Sequence, residues 1–358
     1  MIGRRKTRVV KVGGVKIGGS NPISIQSMTT SDTRDIGKTV SAIKRLEKAG
    51  CEIVRVAVKD LEAARAIKRI KRKIRIPLVG DIHFDYRLAL ESIKSGADKI
   101  RINPGNITKP EHLKEIIEAA KRRRIPIRIG LNSGSLPHRS TEGAKAGPHT
   151  DVFIKTALKH IKLFESHRFD DIIISLKSSR VPEMVDAYRR LAGLCDYPFH
   201  VGVTAAGPYD VGVVKSSIGI GALLLNGIGD TVRVSLTGDP VNEVVSAKYI
   251  LQATGRREFG PDIISCPTCG RCQVDLAYIV TRVEEKLNAI RNTQSAKRIK
   301  SVALMGCEVN GPGEAKEADI GIAFGKDAGV IFMKGKIVKR VRAKNAVREL
   351  LHLVSKAI

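Results

Sequence analysis

The chain has 358 residues, 42% of them hydrophobic, enough for one large domain plus one small. Its formal charge of +27 points to an acidic partner, an anionic substrate or nucleic acid, or simply to a solvated Lys/Arg surface such as a thermophile carries. Other classes are excluded: 4% aromatics argue against base-stacking platforms, no apolar run reaches membrane-spanning length, and Met1–Lys6 leads into no apolar stretch of a secretory signal. The expectation is a cytoplasmic protein with reduced thiols and no membrane contact.

In chain order, Thr7–Val12 and Val15–Ile17 flank Gly13-Gly14 and predict a β-hairpin that plugs, or leads into, the domain after it. Strand-like runs then recur at Pro22–Gln26, Glu52–Val58, Ile76–Asp81, Lys99–Ile102, Pro126–Leu131, Asp171–Leu176, Phe199–Val203 and Thr231–Leu236. Each precedes a helix-like segment: Asp35–Lys48, Leu61–Arg72, Tyr86–Ser95, Pro110–Arg123, Asp151–Ser166, Val181–Leu194, Val211–Leu224 and Val241–Thr254. Eight β-then-α units over roughly 230 residues match an α/β fold of the (β/α)8 TIM-barrel type. A doubly wound sheet is the alternative, but the dinucleotide glycine fingerprint is missing.

Side chains alternate along a strand, so residues two apart share a face. At one parity the strand ends read Asp81 and His83, Arg101 and Asn103, Arg128 and Asn132, Ser175 and Lys177, His200 and Thr204, Arg233 and Ser235, while Arg55 lies within Val-Arg-Val-Ala-Val. Barrel active sites sit at the C-terminal ends of the strands. Arg55, Arg101, Arg128, Lys177 and Arg233 are therefore expected at one mouth, with Asp81 the one clear strand-end acid. A single such Arg reads as an internal ion pair; five on five strands call for a multiply charged anion, and guanidinium forks suit phosphate. The expected ligand is a diphosphate. Asn103–Asn106 and Asn132–Ser135 are turns whose backbone N–H groups suit an oxyanion. Pro137–Thr150 reads as a lid or as an ordinary long loop.

After Thr254 the rhythm changes. Gly255–Ile264 reads as a linker, so residues 1–255 form the barrel domain and 256–358 a second, α+β domain. That domain is expected to hold helices Val274–Ile290 and Ala343–Lys356 and strands Ser301–Leu304, Ile320–Phe324, Val330–Met333 and Ile337–Val341, with Arg291–Lys300 a loop. Four of the six cysteines fall here: Cys266, Cys269 and Cys272 in a Cys-x-x-Cys-x-x-Cys run, and Cys307 before Asn310-Gly-Pro-Gly-Glu314. The ferredoxin pattern would place another cysteine at position 276, which is Leu276. Spacing alone leaves a structural zinc ribbon and an iron–sulfur centre both open. The lone Cys307 and a turn that swings Glu314 toward it favour three thiolates with one weaker, exchangeable carboxylate. Cys51 and Cys195 read as small core residues.

Taken together, Cys266-Pro-Thr-Cys269, Gly306-Cys307 with Asn310-Gly-Pro-Gly-Glu314, Gly80-Asp81-Ile-His83-Phe-Asp85-Tyr86, Arg101-Ile-Asn103-Pro-Gly and Arg233-Val-Ser235-Leu resemble the 4-hydroxy-3-methylbut-2-enyl diphosphate synthase family over nearly the whole chain. The resemblance implies a TIM barrel and one 4Fe-4S cluster held by Cys266, Cys269, Cys307 and Glu314. It implies a substrate, 2-C-methyl-D-erythritol 2,4-cyclodiphosphate, bound by Arg55, His83, Arg101, Asn103, Arg128, Asn132, Ser135, Lys177, Arg233 and Ser235. Glu314, Asp81 and His83 are then the candidate catalytic groups. It also implies ferredoxin or flavodoxin as electron donor and a head-to-tail homodimer. Cys272 departs from the family pattern and is expected to point away from the cluster. The competing reading is a zinc-ribbon nucleic-acid-binding protein with a phosphate-binding barrel.

Overall fold

The computed structural model describes residues 2–107, 109–132, 149–290 and 299–357. The chain divides into two compact units, Met1–Arg257 and Glu258–Ile358.

The first unit opens with the hairpin β1 (Val10–Val12) and β2 (Val15–Ile17), paired antiparallel around Gly13 at φ +54°. Eight strands follow: β3 (Ser24–Met28), β4 (Ile53–Ala57), β5 (Leu78–Asp81), β6 (Lys99–Ile102), β7 (Ile127–Asn132), β8 (Ile172–Lys177), β9 (His200–Val201) and β10 (Thr231–Val232). Between and after them run α1 (Ile36–Ala49), α2 (Leu61–Lys71), α3 (Tyr86–Lys94), α4 (Pro110–Arg123), α5 (His149–Ser166), α6 (Val181–Ala192), α7 (Tyr209–Leu225) and α8 (Pro240–Ala253). The strands form one parallel sheet in the order β8-β7-β6-β5-β4-β3-β10-β9. One parallel bridge, Ile174 to Phe199, closes the ring. Tyr188 of α6 reinforces that joint: its hydroxyl accepts from Leu176 N (2.8 Å) and donates to the His200 carbonyl (2.6 Å).

Local chemistry sets where the helices begin. Asp35, Asp60, Asp85 and Asp239 each cap a helix, accepting from Lys38 N (3.0 Å), Ala63 N (2.8 Å), Arg87 N (2.9 Å) and Val241 N (3.0 Å). The hairpin packs its buried Val10, Val12 and Ile17 against Ile53, Val79 and Ile173, closing the N-terminal end of the barrel as the plug expected there. β9 and β10 are shorter than the expected Phe199–Val203 and Thr231–Leu236. The chain stays extended past both, with Arg233 N still bonded to Val201 O (3.0 Å) and Thr204 N to Ser178 O (3.3 Å), but the ladder is no longer reciprocal.

The second unit is a five-stranded mixed sheet: β11 (Asp262–Ser265), β12 (Ser301–Met305) and β13 (Ile320–Phe324) are parallel neighbours, and β14 (Ala328–Met333) and β15 (Lys336–Arg342) continue it antiparallel. α9 (Leu276–Ile290) and α11 (Ala346–Ala357) share one core with one face of the sheet, through Leu276, Val283, Val302, Leu304, Ile322 and Leu350. α10 (Gly311–Glu317) covers the other, through Ala315 against Ala303, Met305, Ala323 and Phe332. Two expectations are corrected. The linker at Gly255–Ile264 contains β11, an exposed strand that its own pattern does not announce and that long-range pairing with β12 creates. The turn at Asn310–Gly313 is the start of α10, where Pro312 in the first turn suits a helix entry. Among the described residues no helix is long and apolar enough to cross a membrane.

Candidate active site and thiolate centre

The plug identifies the inward parity of the strands. Ile53, Val79 and Ile173 meet the hairpin, so two residues further along, Arg55, Asp81 and Ser175 face the same interior. Register carries that layer around the ring: Asp81 is opposite Arg101, Arg101 opposite Arg128, and Asn132 opposite Lys177. Four of the five expected cations, Arg55, Arg101, Arg128 and Lys177, are buried. The fifth, Arg233, lies just past β10 with its side chain 15% exposed.

Asp81 ties this cluster together. Its carboxylate lies 3.6 Å from Arg55 Nε, 3.2 Å from Arg101 Nη1 and 3.5 Å from His83 Nε2. Burial pushes the Asp81 carboxyl up, but Arg55, the His83 bond, Arg101 and Arg128 outweigh it and hold it well below the carboxylate range. Arg101 also donates to the Gly130 carbonyl (3.2 Å), and a Cβ on Gly130 would stand 2.4 Å from its Nε, so glycine makes room for that guanidinium. Asp81 is not the only acid: Glu243, in the first turn of α8, accepts from Arg233 (3.3 Å), Ser27 Oγ (2.8 Å) and Leu236 N (3.1 Å). Strand parity missed it because it projects from a helix; its signal was an acid in a helix face that otherwise packs inward, 4% exposed.

Two acids do not balance this interior. Burial, then the charges of Arg55 and Arg101, push Arg128 well down from its usual value; burial, then Arg233, do the same to Lys177. Burial lowers Arg55 to about 10 against the pull of Asp81. Lys99 and His200, both fully buried on the same faces, are pushed down by burial and by Arg128. Among the described residues, the Lys99 Nζ, the Arg128 Nε and both His200 ring nitrogens find no hydrogen-bond partner. Arg128 reaches Gln26 Oε1 at 3.3 Å. Such a set disfavours its own charges and favours a polyanion. Sequence reasoning had not placed Lys99 or Gln26 in the site, though their strand parity matches Arg101 and Met28.

The other expected residues fall as follows. His83 is half-exposed at the end of β5. Asn103 is buried and its Oδ1 accepts from Gly105 N (3.2 Å), capping the turn Pro104–Asn106. Asn132 ends β7, and Ser235 is half-buried beyond β10. Ser135 and most of Pro137–Thr150 lie outside the described residues.

In the second unit, parallel neighbours β11 and β12 end side by side, Ser265 opposite Leu304. Cys266 and Cys307 therefore emerge at the C-terminal ends of adjacent strands, the usual place for a site in such sheets. The Cys266 Sγ accepts from Gly306 N (3.2 Å). Cys266, Cys269, Cys307 and Glu314 line one cavity of about 370 Å³. Backbone N–H groups of Val309 and Asn310 pull the Cys307 thiol down. Cys272 is not in that lining. Its Sγ donates to the Val274 carbonyl (3.2 Å) and packs with the α9 core, where a Cβ on Gly306 would come within 2.3 Å of it. Cys51 is buried with its thiol pushed up to about 12 by burial, and Cys195 is half-buried. Among the described residues no three His, Cys, Asp or Glu side chains converge on a single metal ion. Three thiols and a carboxylate around a wider cavity fit a polynuclear iron–sulfur group better than one tetrahedral zinc.

A barrel with a surplus of buried cations at its mouth, followed by a module with a thiol-lined cavity, defines an enzyme that binds a polyanion and carries a metal centre. The chain belongs to the GcpE family: the GcpE TIM-barrel domain matches residues 7–248 and the GcpE C-terminal domain residues 262–356. Relatives named 4-hydroxy-3-methylbut-2-en-1-yl diphosphate synthase (flavodoxin) include one from Caldanaerobacter subterraneus, 54% identical over 99% of this chain and 98% of its own, and one from Thermodesulfovibrio yellowstonii, 54% identical over 99% and 100%. Among solved structures, a dihydropteroate synthase of Yersinia pestis aligns with a TM-score of 0.51 at 14% identity, over 70% of this chain and 99% of that one, a likeness of fold alone.

Asp81 generates a pH prediction. Its carboxyl is held low in the fold, so its contribution to stability is full above about pH 4, the unfolded value, and is lost progressively as the pH falls below that toward the depressed folded value. Urea midpoints of Asp81→Asn should lie below wild type at neutral pH, with the gap closing on acidification. A gap constant down to about pH 3 contradicts the assignment.

Proposed function

We propose that the chain catalyses the reductive ring opening and dehydroxylation of 2-C-methyl-D-erythritol 2,4-cyclodiphosphate to 4-hydroxy-3-methylbut-2-enyl diphosphate, a step in isoprenoid precursor synthesis. The observation that supports this most is the barrel interior, where six cations, Lys99 among them, meet two acids among the described residues. We assign substrate binding to residues 1–255 and the metal centre to residues 256–358. Arg55, Arg101, Arg128, Lys177 and Arg233 hold the diphosphate, with Asn103, Asn132, Ser135 and Ser235 as polar contacts around it. The bond between carbon 2 and its phosphate oxygen breaks, leaving negative charge on the diphosphate. The fixed guanidinium and ammonium groups stabilise that charge as it develops. Loss of the carbon-3 hydroxyl as water consumes one proton, and the whole change consumes two electrons. Asp81 fixes His83 at the mouth, where its imidazole can hold and pass that proton.

We assign Cys266, Cys269, Cys307 and Glu314 as the ligands of one 4Fe-4S cluster. When bound, that cluster supplies the two electrons one at a time, from flavodoxin or ferredoxin. We read the protein as cytoplasmic, where its thiols stay reduced. The zinc-ribbon, nucleic-acid-binding alternative finds no support in relatives that align along the whole chain and bear the name of a diphosphate synthase.

We also read the protein as a homodimer. Val211, Val214, Ile218 and Leu225 form an exposed apolar stripe along α7, each at least half-exposed in the single chain. Ile218→Asp should shift the mass measured by light scattering toward a monomer; an unchanged dimer would place the interface elsewhere.

The functional test is made on anaerobic preparations. Wild type should bind iron and convert the cyclodiphosphate when given reduced methyl viologen. Cys266→Ser, Cys269→Ser and Cys307→Ser should each lose bound iron, and Cys272→Ser should keep it. Arg128→Ala should keep wild-type iron and spectrum while kcat/KM falls about thirtyfold or more, a loss of about 2 kcal/mol in transition-state stabilisation. An iron-free Cys272→Ser beside an iron-loaded Cys307→Ser reverses the ligand assignment, and zinc in the wild type refutes the reading.

A further inference from the structure

Beside the cysteine-lined cavity, the second unit carries a surface that ring opening leaves unused. The β14–β15 hairpin, residues 328–342, contains Lys334, Lys336, Lys339, Arg340 and Arg342 and no acid, and Lys344 follows directly. β15 is the edge of the sheet and is exposed along its length except at Val341. Two of its apolar residues, Ile337 and Val338, are 55% and 46% exposed. Lys339 is engaged with Glu349 of α11 at 2.6 Å. Arg340 instead lines a groove of about 400 Å³ with Phe332, walled on the far side by Pro312 and Lys316 of α10 and bordered by Lys326. The Lys316 Nζ lies 5.9 Å from the Phe332 ring centre.

The groove shares a wall with the thiol cavity. Glu308 and Pro312 line the groove; Cys307, Asn310, Gly311 and Glu314 line the cavity. A single stretch of chain, residues 307–314, thus separates the two. Three cations, Lys316, Lys326 and Arg340, outnumber two acids, Glu308 and Asp327, around an apolar floor, and with the basic strand beside it this is the anatomy of a protein-docking face. Electron-transfer encounters use small, charge-steered interfaces of this kind.

We propose that this groove and its basic edge strand dock an acidic, low-potential electron carrier, whose electrons enter through the 307–314 segment. The proposal rests on the reading of the protein as a reductive iron–sulfur enzyme. Each docking oxidises the carrier by one electron and reduces the metal centre by one, and two dockings serve one ring opening. Charge complementarity selects the occupant: flavodoxins and ferredoxins are acidic, and the hairpin presents a single sign.

The test uses the full-length, iron-loaded protein and oxidised flavodoxin. Calorimetry at low ionic strength should give at least a tenfold weaker Kd for Arg340→Glu/Arg342→Glu than for wild type, with a shallower salt dependence. Flavodoxin-driven turnover should show a matching rise in KM, while turnover driven by methyl viologen, a small dye that needs no docking face, stays at the wild-type level. Lys316→Glu/Lys326→Glu, on the opposite wall, should behave alike and decides the matter if the first variant loses viologen-driven turnover. Unchanged Kd and KM in both variants would overturn the proposal, leaving the hairpin cations as protection of an exposed sheet edge. So would duplex DNA displacing flavodoxin from wild type and failing to bind the variants. Should wild type itself fail to turn over with viologen, the functional reading fails, while the calorimetry still decides the docking face.

Discussion

The barrel depends on a charge imbalance that its own fold does not resolve. Asp81 and Glu243 engage Arg55, Arg101 and Arg233, but Arg128, Lys177 and Lys99 are buried with no acid to match them among the described residues. Burying an unmatched charge costs several kcal/mol, a cost that a well-packed apolar interior would avoid. The usual TIM-barrel interior is layered with branched apolar side chains. Here such side chains appear mainly at the plugged end, and the layers above are given to cations, Gln26, Ser175 and His200. That is the design of a site preorganised for a ligand of several negative charges, with stability traded for binding.

The second unit solves a different problem with the same topological rule. Adjacent parallel strands end together, so loops far apart in sequence meet at one sheet edge. Forty-one positions separate Cys266 from Cys307, yet the β11–β12 register brings them to one cavity. The glycine before Cys307 has no side chain, which lets Cys272 turn inward to the α9 core. Chain geometry, rather than thiol count, thereby separates the three lining cysteines from the fourth.

Much of this was legible in the residues, and for identifiable reasons. The alternation of short apolar strands with amphipathic helices is a local signal, and so are the aspartates that cap α1, α2, α3 and α8. Strand parity is equally local, and it selected Arg55, Asp81, Arg101, Arg128 and Lys177 before any geometry was known. What escaped depends on tertiary context. β11 exists because β12 pairs with it. Glu243 joins the site from a helix, where a two-residue period has no meaning. The Asn310–Gly313 run reads as a turn until α10 packs its Ala315 on the sheet. Ile337 and Arg340, three residues apart on an edge strand, line the same groove, and the register shift between Ile331 and Phe332 that allows this is recorded in no composition.

The central claim is that the barrel interior is destabilised by unmatched cations and awaits a polyanion. The most direct measurement is the thermal midpoint of wild type against inorganic pyrophosphate at fixed ionic strength. Because a ligand of the folded state alone stabilises by mass action, the midpoint should rise steadily with pyrophosphate concentration. It should rise much less with sulfate, which offers fewer charges to the same ring. A midpoint that does not move, or that moves equally for both anions, would contradict the account.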